Sequence, residues 1–152
     1  MDAISFLKQV EKLDTLIKNK LIEKTQWRDM ALGITANMEG ERVQYSGRPS
    51  KMADAIDKCV DMEAEIDSLL DRLIDTKREV ISVIEQLSAT EYDVLHKRYI
   101  QFLSFSDIAE AKGRDYNWVT TVHGRAKKNV DKILQERRLG NEISNDLPEV
   151  QA

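Results

Sequence analysis

Residues 103–122 read LSFSDIAEAKGRDYNWVTTV and contain two short amphipathic segments separated by one glycine. Ser104 or Ser106 can cap a helix over residues 105–112, because both side chains can accept a bond from a backbone N–H of the first turn. Gly113 suits the left-handed position that ends a helix. Asp115 is then placed to cap a second helix. The stretch therefore predicts a short helix, a tight turn and another helix.

The flanking sequence extends this unit on both sides. Ser88 and Glu91 have the spacing of a capping box, which predicts a helix over roughly 89–100. After Asp115, apolar residues recur at helical spacing and predict a helix over 116–138. Three helices of these lengths predict a C-terminal domain over 88–138 with a helix-turn-helix, in which the first residues of the second helix enter the DNA major groove.

The start of the last helix carries side chains suited to contact bases. Tyr116, Asn117, Thr120 and Thr121 are the candidate base-contacting residues. Asparagine can form a bidentate pair with adenine, and threonine offers a hydroxyl and a methyl group that can touch thymine. Residues 116–130 contain no Asp or Glu, whose charge phosphate would repel.

Basic residues follow at the height where phosphates flank the groove. Arg114, Arg125, Lys127 and Lys128 are the candidate phosphate contacts, which position a protein and supply much of its affinity. The window 112–138 has 8 basic and 3 acidic residues, although the whole chain of 152 residues carries a net charge of −4. This asymmetry favours double-stranded DNA as a partner.

The N-terminal half has a different pattern. Apolar residues alternate in steps of three and four over 2–38 and over 51–87, and a segment with Gly40, Gly47 and Pro49 separates them. This pattern predicts an antiparallel helical hairpin over 1–87, with a loop over 39–50. Its apolar stripe can bury itself against the other arm, against a second chain in a homo-oligomer, or against a polymerase surface. The whole chain is thus predicted to be all-α, with an acidic, disordered tail over 139–152.

Composition excludes several classes of function. The single cysteine, Cys59, cannot form an intramolecular disulfide, and no Cys/His cluster offers a metal site. No catalytic constellation or phosphate-binding glycine loop is present, so we expect neither an enzyme nor a cofactor. No apolar run reaches the roughly 20 residues of a membrane span, and no secretory signal begins the chain, so we expect a cytoplasmic protein without membrane contact.

The residues 87–130 resemble region 4 of sigma-70-type factors. The resemblance rests on an acid, valine-leucine and arginine-tyrosine pattern in the first helix, a leucine-serine and isoleucine-alanine pattern in the second, and Arg125-Ala126 in the third. These residues are Glu91, Val94, Leu95, Arg98, Tyr99, Leu103, Ser104, Asp107, Ile108, Ala109, Arg125, Ala126 and Val130. With the upstream helix, the chain is similar to small phage-encoded sigma-like proteins, including the RinA/ArpU-type late-gene activators.

The resemblance implies a transcription regulator that binds a promoter-proximal element and contacts bacterial RNA polymerase. Sigma factors usually place charged residues at the base-contacting positions, whereas Tyr116, Asn117, Thr120 and Thr121 are neutral, so the target sequence does not transfer. The region that melts promoters in complete sigma factors has no counterpart here.

Two alternatives stay open: a phage DNA-packaging component like a small terminase subunit, and a helical adaptor that binds no DNA. For the transcription regulator, we expect residues 1–87 to be dispensable for DNA contact.

Overall fold

The protein is all-α. The computed structural model describes the backbone of residues 1–40 and 48–146, and the side chains of residues 1–33 and 50–146; the described residues contain no strand. The helices are α1 (Ala3–Leu7), α2 (Gln9–Gly40), α3 (Arg48–Ile84), α4 (Ala89–Tyr99), α5 (Phe105–Lys112) and α6 (Tyr116–Asp146).

Local sequence explains where the last three helices begin. The Ser88 side chain accepts a bond from the Glu91 amide at the start of α4, and Ser104, rather than Ser106, accepts one from Asp107 at the start of α5. Gly113 ends α5 with φ of 63°, a left-handed conformation that costs glycine little. Asp115 accepts a bond from the Trp118 amide at 2.7 Å and caps α6. These predicted caps are confirmed.

Several predicted helix ends were displaced. The first helix is interrupted at Lys8, and α3 begins at Arg48, inside the predicted loop 39–50. Pro49 explains the start of α3. The backbone N–H groups in the first turn of a helix make no hydrogen bond within the helix, so proline, which lacks this N–H, is tolerated there. At its other end α3 stops at Ile84, since Gln86 and Leu87 bond the carbonyls three residues back and tighten the chain into a turn.

The C-terminal tail was also predicted incorrectly in part. Helix α6 continues eight residues beyond the expected end at 138, to Asp146. The chain has no proline between the start of α6 and Pro148, so nothing in that segment breaks the helix. Residues 139–146 are therefore helical, whereas 41–47 of the predicted loop and 147–152 of the predicted tail lie outside the described residues.

The chain divides into two compact units that differ from the predicted domains 1–87 and 88–138. Unit 1 combines Met1–Glu11 with Asp75–Ala152, and unit 2 is Lys12–Ile74. The N-terminus belongs to unit 1 because α1 packs on α6, where the Ala3 amide donates to Asp131 at 2.7 Å. A fragment of 88–138 would therefore lack part of its own core, which removes the basis for treating all of 1–87 as dispensable.

Unit 1 has a dense apolar core. Helices α4, α5 and α6 pack on one another around a cluster of buried side chains. The partly buried Leu103, Phe105 and Trp118 pack against this cluster. The N-terminal segment and the end of α3 contribute further side chains from the same unit. The buried apolar residues are Ala3, Phe6, Leu7, Val10, Val80, Val83, Ile84, Val94, Leu95, Tyr99, Ile108, Ala109, Val119, Val122, Ala126 and Val130.

Unit 2 has a thin core. Lys20 pairs with Glu65 at 3.0 Å and Lys24 with Glu63 at 3.7 Å, so the paired stretches of α2 and α3 run antiparallel. Its buried apolar side chains are Leu13, Ile17, Ala31, Ala55, Met62 and Ile66. Five members of the apolar stripe predicted over 2–38 and 51–87 are exposed: Leu16, Leu21, Met30, Ile56 and Leu70.

Candidate nucleic-acid interface

Helix α6 presents opposite faces to the core and to solvent. Val119, Val122, Ala126 and Val130 are buried, with the spacing of one helix face. The opposite face carries Asn117, Thr121, Gly124 and Lys128 at steps of four, three and four residues, and we call these four residues the outer row. Because successive members of such a row lie one turn apart, the outer row forms a continuous strip along the first three turns of α6.

The candidate base-contacting residues differ in their availability. Asn117 and Thr121 are exposed, and no side chain of the described residues bonds the Asn117 amide group. The hydroxyls of Thr120 and Thr121 donate to the Asn117 carbonyl at 3.0 and 2.8 Å, which leaves them as acceptors. Tyr116 is exposed and its ring meets Phe105 edge-on, with the centroids 6.1 Å apart. Asn117 is thus the best placed of the four to form a bidentate pair.

The candidate phosphate-contacting cations are also unequal. Lys128 is exposed on the outer row, and the side chains described here include no acid within ion-pair distance of it. The Arg114 guanidinium lies 5.2 Å from the centre of the Trp118 ring. Lys127 is half-buried and close enough to Asp2 that it helps to lower the pKa of that carboxyl, behind the hydrogen bonds from Ser5. Lys128 and Arg114 are therefore the better candidates.

Arg125 has a structural partner that the sequence did not reveal. Its Nε donates to Glu91 Oε1 at 2.8 Å, and the Asn129 amide donates to Glu91 Oε2 at 3.0 Å. Glu91 is buried, and a buried carboxylate needs such partners. The spacing of Ser88 and Glu91 predicts a capping-box role for the Glu91 side chain, whereas its carboxylate links α4 to α6. Arg125 is thereby held at one edge of α6.

His123 is also built into the edge of the core. Its Nε2 lies 2.6 Å from the Tyr99 hydroxyl, and its ring centre lies 5.0 Å from that of Phe105. Burial, followed by the nearby charges of Arg98 and Lys127, lowers the pKa of the His123 ring. The neutral imidazole has one unprotonated nitrogen. Its Nε2 therefore accepts a hydrogen bond from the Tyr99 hydroxyl in one tautomer and donates one in the other.

The junction between α4 and α5 is fixed by partners that sequence reasoning missed. Arg98 donates to the Leu103 carbonyl at 3.0 Å, and its guanidinium lies 4.9 Å from the centre of the Phe105 ring. Asp93 accepts bonds from both Lys97 and Lys112. Burial opposes the effect, yet these bonds hold the pKa of Asp93 below its ordinary value. Arg98 and Lys112 are thus used to orient α5.

No protein-family model, curated protein or solved structure matches this chain. Among the described side chains, those of residues 1–33 and 50–146, no group of three or more His, Cys, Asp or Glu is arranged to hold a metal ion. Across the same part of the chain, no helix is both long enough and apolar enough to cross a membrane.

Proposed function

We propose that the protein is a DNA-binding transcription regulator, a late-gene activator of the phage or prophage sigma-region-4-like kind. In this proposal α5 and α6 form a helix-turn-helix, and unit 2 is a helical hairpin. Helix α6 enters the major groove with its N-terminal half, and α5 crosses above it. Bacterial RNA polymerase is the second partner.

The outer row of α6 carries the proposal. A strip of exposed Asn117, Thr121 and Lys128 offers hydrogen-bonding groups near the helix start and a cation two turns later. The small Gly124 between them lets the helix backbone approach another surface, and its Cβ position meets no atom within 4 Å. Side chains of this kind contact base edges, and a lysine one or two turns away contacts phosphate.

The connection between α5 and α6 supports the same proposal. The connection consists of Gly113, Arg114 and Asp115 only, and both helices are capped by their own side chains. The partners of Phe105 and the Glu91 bonds to α6 hold this pair on α4. A rigid scaffold that presents one helix start is what base recognition requires, because a misplaced side chain forms no bidentate pair.

The polymerase part of the proposal rests on the resemblance to region 4 alone. The test is transcription in a reconstituted system with the host polymerase, with templates that carry or lack the DNA motif selected by the protein. We expect more transcript from the first template only. Equal transcription from both templates would separate DNA binding from activation and would remove the polymerase from the proposal.

The deciding experiment is selection of DNA bound by the full chain from a random pool at near-physiological salt. We expect one short motif to be enriched. Enrichment without a motif would instead favour a packaging protein that binds DNA irrespective of sequence, and the absence of any bound DNA would leave a helical adaptor.

A comparison of two cations tests the docking geometry. Lys128→Ala should weaken binding to all sequences and lower the slope of log affinity against log salt by about one unit, as expected for one lost phosphate contact. Lys58→Ala, which removes an exposed lysine of unit 2, is the control and should leave the slope unchanged. An unaltered slope for Lys128→Ala would contradict the placement of the outer row against DNA.

A further inference from the structure

One side of unit 2 is a largely apolar surface whose described side chains are exposed. On α2 it contains Leu21, Thr25, Arg28 and Leu32, and on α3 it contains Ile56, Val60, Glu63, Asp67, Leu70 and Ile74. We call this surface the heptad face, because its members follow steps of four and three residues on each helix. Six of them are large apolar side chains that are each between 41 and 59 % exposed.

The two helices contribute opposite charges. Between residues 12 and 33, the α2 segment has five basic and three acidic residues, whereas between residues 50 and 74 the α3 segment has three basic and seven acidic residues. The polar members of the heptad face follow the same division, because Arg28 lies on the α2 side and Glu63 and Asp67 lie on the α3 side. An occupant must therefore offer an acidic helix to α2 and a basic helix to α3.

A second copy of the same face meets these requirements. We infer that two chains pair through their heptad faces in a two-fold dimer, with α2 of each copy against α3 of the other. The result is an antiparallel four-helix bundle. The alternative two-fold arrangement, with α3 against α3, would place Glu63 and Asp67 of one copy near those of the other, and like charges across an interface are unfavourable.

The thin core of unit 2 gives the physical reason for pairing. Two antiparallel helices can bury only the single stripe between them, whereas four helices enclose a common core. Burying the heptad face of both copies removes twelve large apolar side chains from water. This inference does not depend on DNA binding, since the heptad face lies entirely within residues 12–74.

The primary experiment is the mass of the full chain in solution, measured by sedimentation equilibrium, with one matched pair of variants. Leu32→Glu places an acid on the heptad face, and Ile22→Glu places the same acid on the outer side of α2. The two native side chains are equally exposed, at 58 and 57 %. We expect twice the chain mass of 17.5 kDa for the parent and for Ile22→Glu. For Leu32→Glu, we expect a single-chain mass, with the helix content of the parent.

Other outcomes overturn the inference. A parent that is a single chain, or that forms a ring of many chains, excludes the two-fold dimer. If Leu32→Glu and Ile22→Glu both dissociate the dimer equally, or if neither dissociates it, the heptad face is not the contact between the chains. If Leu32→Glu loses helix content, Val60→Lys replaces it, since that change places a base opposite the basic α2 of the partner while preserving helix propensity.

A cross-linking experiment tests which helices face each other. The Lys20–Glu65 and Lys24–Glu63 pairs place Thr25 and Val60 at the same height of the bundle. In a Cys59→Ala background, a mixture of Thr25→Cys and Val60→Cys chains should form a disulfide between the two different chains under mild oxidation. Cross-links within one variant alone, and none between the two, would overturn the α2-against-α3 arrangement.

Discussion

The two units are built from similar helices but are stabilised differently. Eleven large side chains of the described residues are fully buried, and ten of them belong to unit 1, whereas Met62 alone belongs to unit 2. The buried side chains of unit 1 come from the N-terminal segment, the end of α3, α4, α5 and α6. Unit 2 consists of two antiparallel segments that touch along one stripe.

This difference shows that helix formation and core formation are separate problems. The α2 and α3 segments have many helix-forming residues, yet half of the apolar side chains described in unit 2 are exposed. In unit 1, the short helices α4 and α5, of 11 and 8 residues, are held by tertiary packing, by Glu91 and by the Phe105 contacts. Most helical stability in proteins comes from such packing. Substitutions in unit 1 should therefore cost more than equivalent substitutions in unit 2.

The largest effect on stability is expected at the N-terminus, which belongs to unit 1 although unit 2 separates it from the rest of unit 1 in the sequence. Phe6→Ala should lower the free energy of unfolding of unit 1 by about 3–5 kcal/mol, since it removes a buried aromatic ring from the core. Urea unfolding and hydrogen exchange of α4 to α6 measure it. If exchange in α4 to α6 stays at the parent's rate, the N-terminal segment is not part of unit 1.

A pair of isoleucines tests the contrast between the cores. Ile108→Ala removes a fully buried side chain in α5 and should cost about 2–5 kcal/mol. Ile22→Ala removes an exposed side chain of α2 and should change stability by less than about 0.5 kcal/mol. Urea midpoints of both variants give the comparison, and equal losses would mean that Ile22 is covered in solution.

A pair of asparagines tests whether base recognition belongs to unit 1. Asn117→Ala should lower discrimination between the selected motif and scrambled DNA by about 1–3 kcal/mol, the value of a good base contact. Asn19→Ala, at an exposed site on α2, is the control and should leave discrimination unchanged. Discrimination that survives Asn117→Ala would move base contact to other residues of α6.

The smallest effect is a pH dependence that only unit 1 should show, because both histidines lie there. Burial lowers the pKa of His123 and of His96 in the folded chain, so the unfolded chain binds protons first as pH falls below about 6.5. The free energy of unfolding should therefore decrease below that pH. His123→Gln should reduce this decrease without removing it, and an unchanged slope would show that His123 titrates normally.

Much of the fold follows from local signals. Ser88, Ser104, Gly113 and Asp115 each act on neighbouring backbone groups, so their positions predict where α4, α5 and α6 begin or end. The core positions Val119, Val122, Ala126 and Val130 follow from period alone. In the same way, the exposure of Asn117 and Thr121 is a consequence of their position opposite that stripe.

Other features depend on which distant segments meet. Nothing near Glu91 in the sequence indicates that its carboxylate bonds Arg125 and Asn129, and the same is true of the contact between Ala3 and Asp131. A helical period predicts an apolar stripe but not its partner, so it does not reveal that Leu21 and Ile56 are exposed.

The sequence by itself determined an all-α chain, the caps of α4, α5 and α6, and an acid-free helix start followed by basic residues, because each depends on residues within a few positions of one another. Only the tertiary structure decided that Met1–Glu11 joins unit 1, that Glu91 and His123 form hydrogen bonds between α4 and α6, and that the heptad face of unit 2 is exposed. Those outcomes depend on contacts between residues tens of positions apart, which no local period specifies.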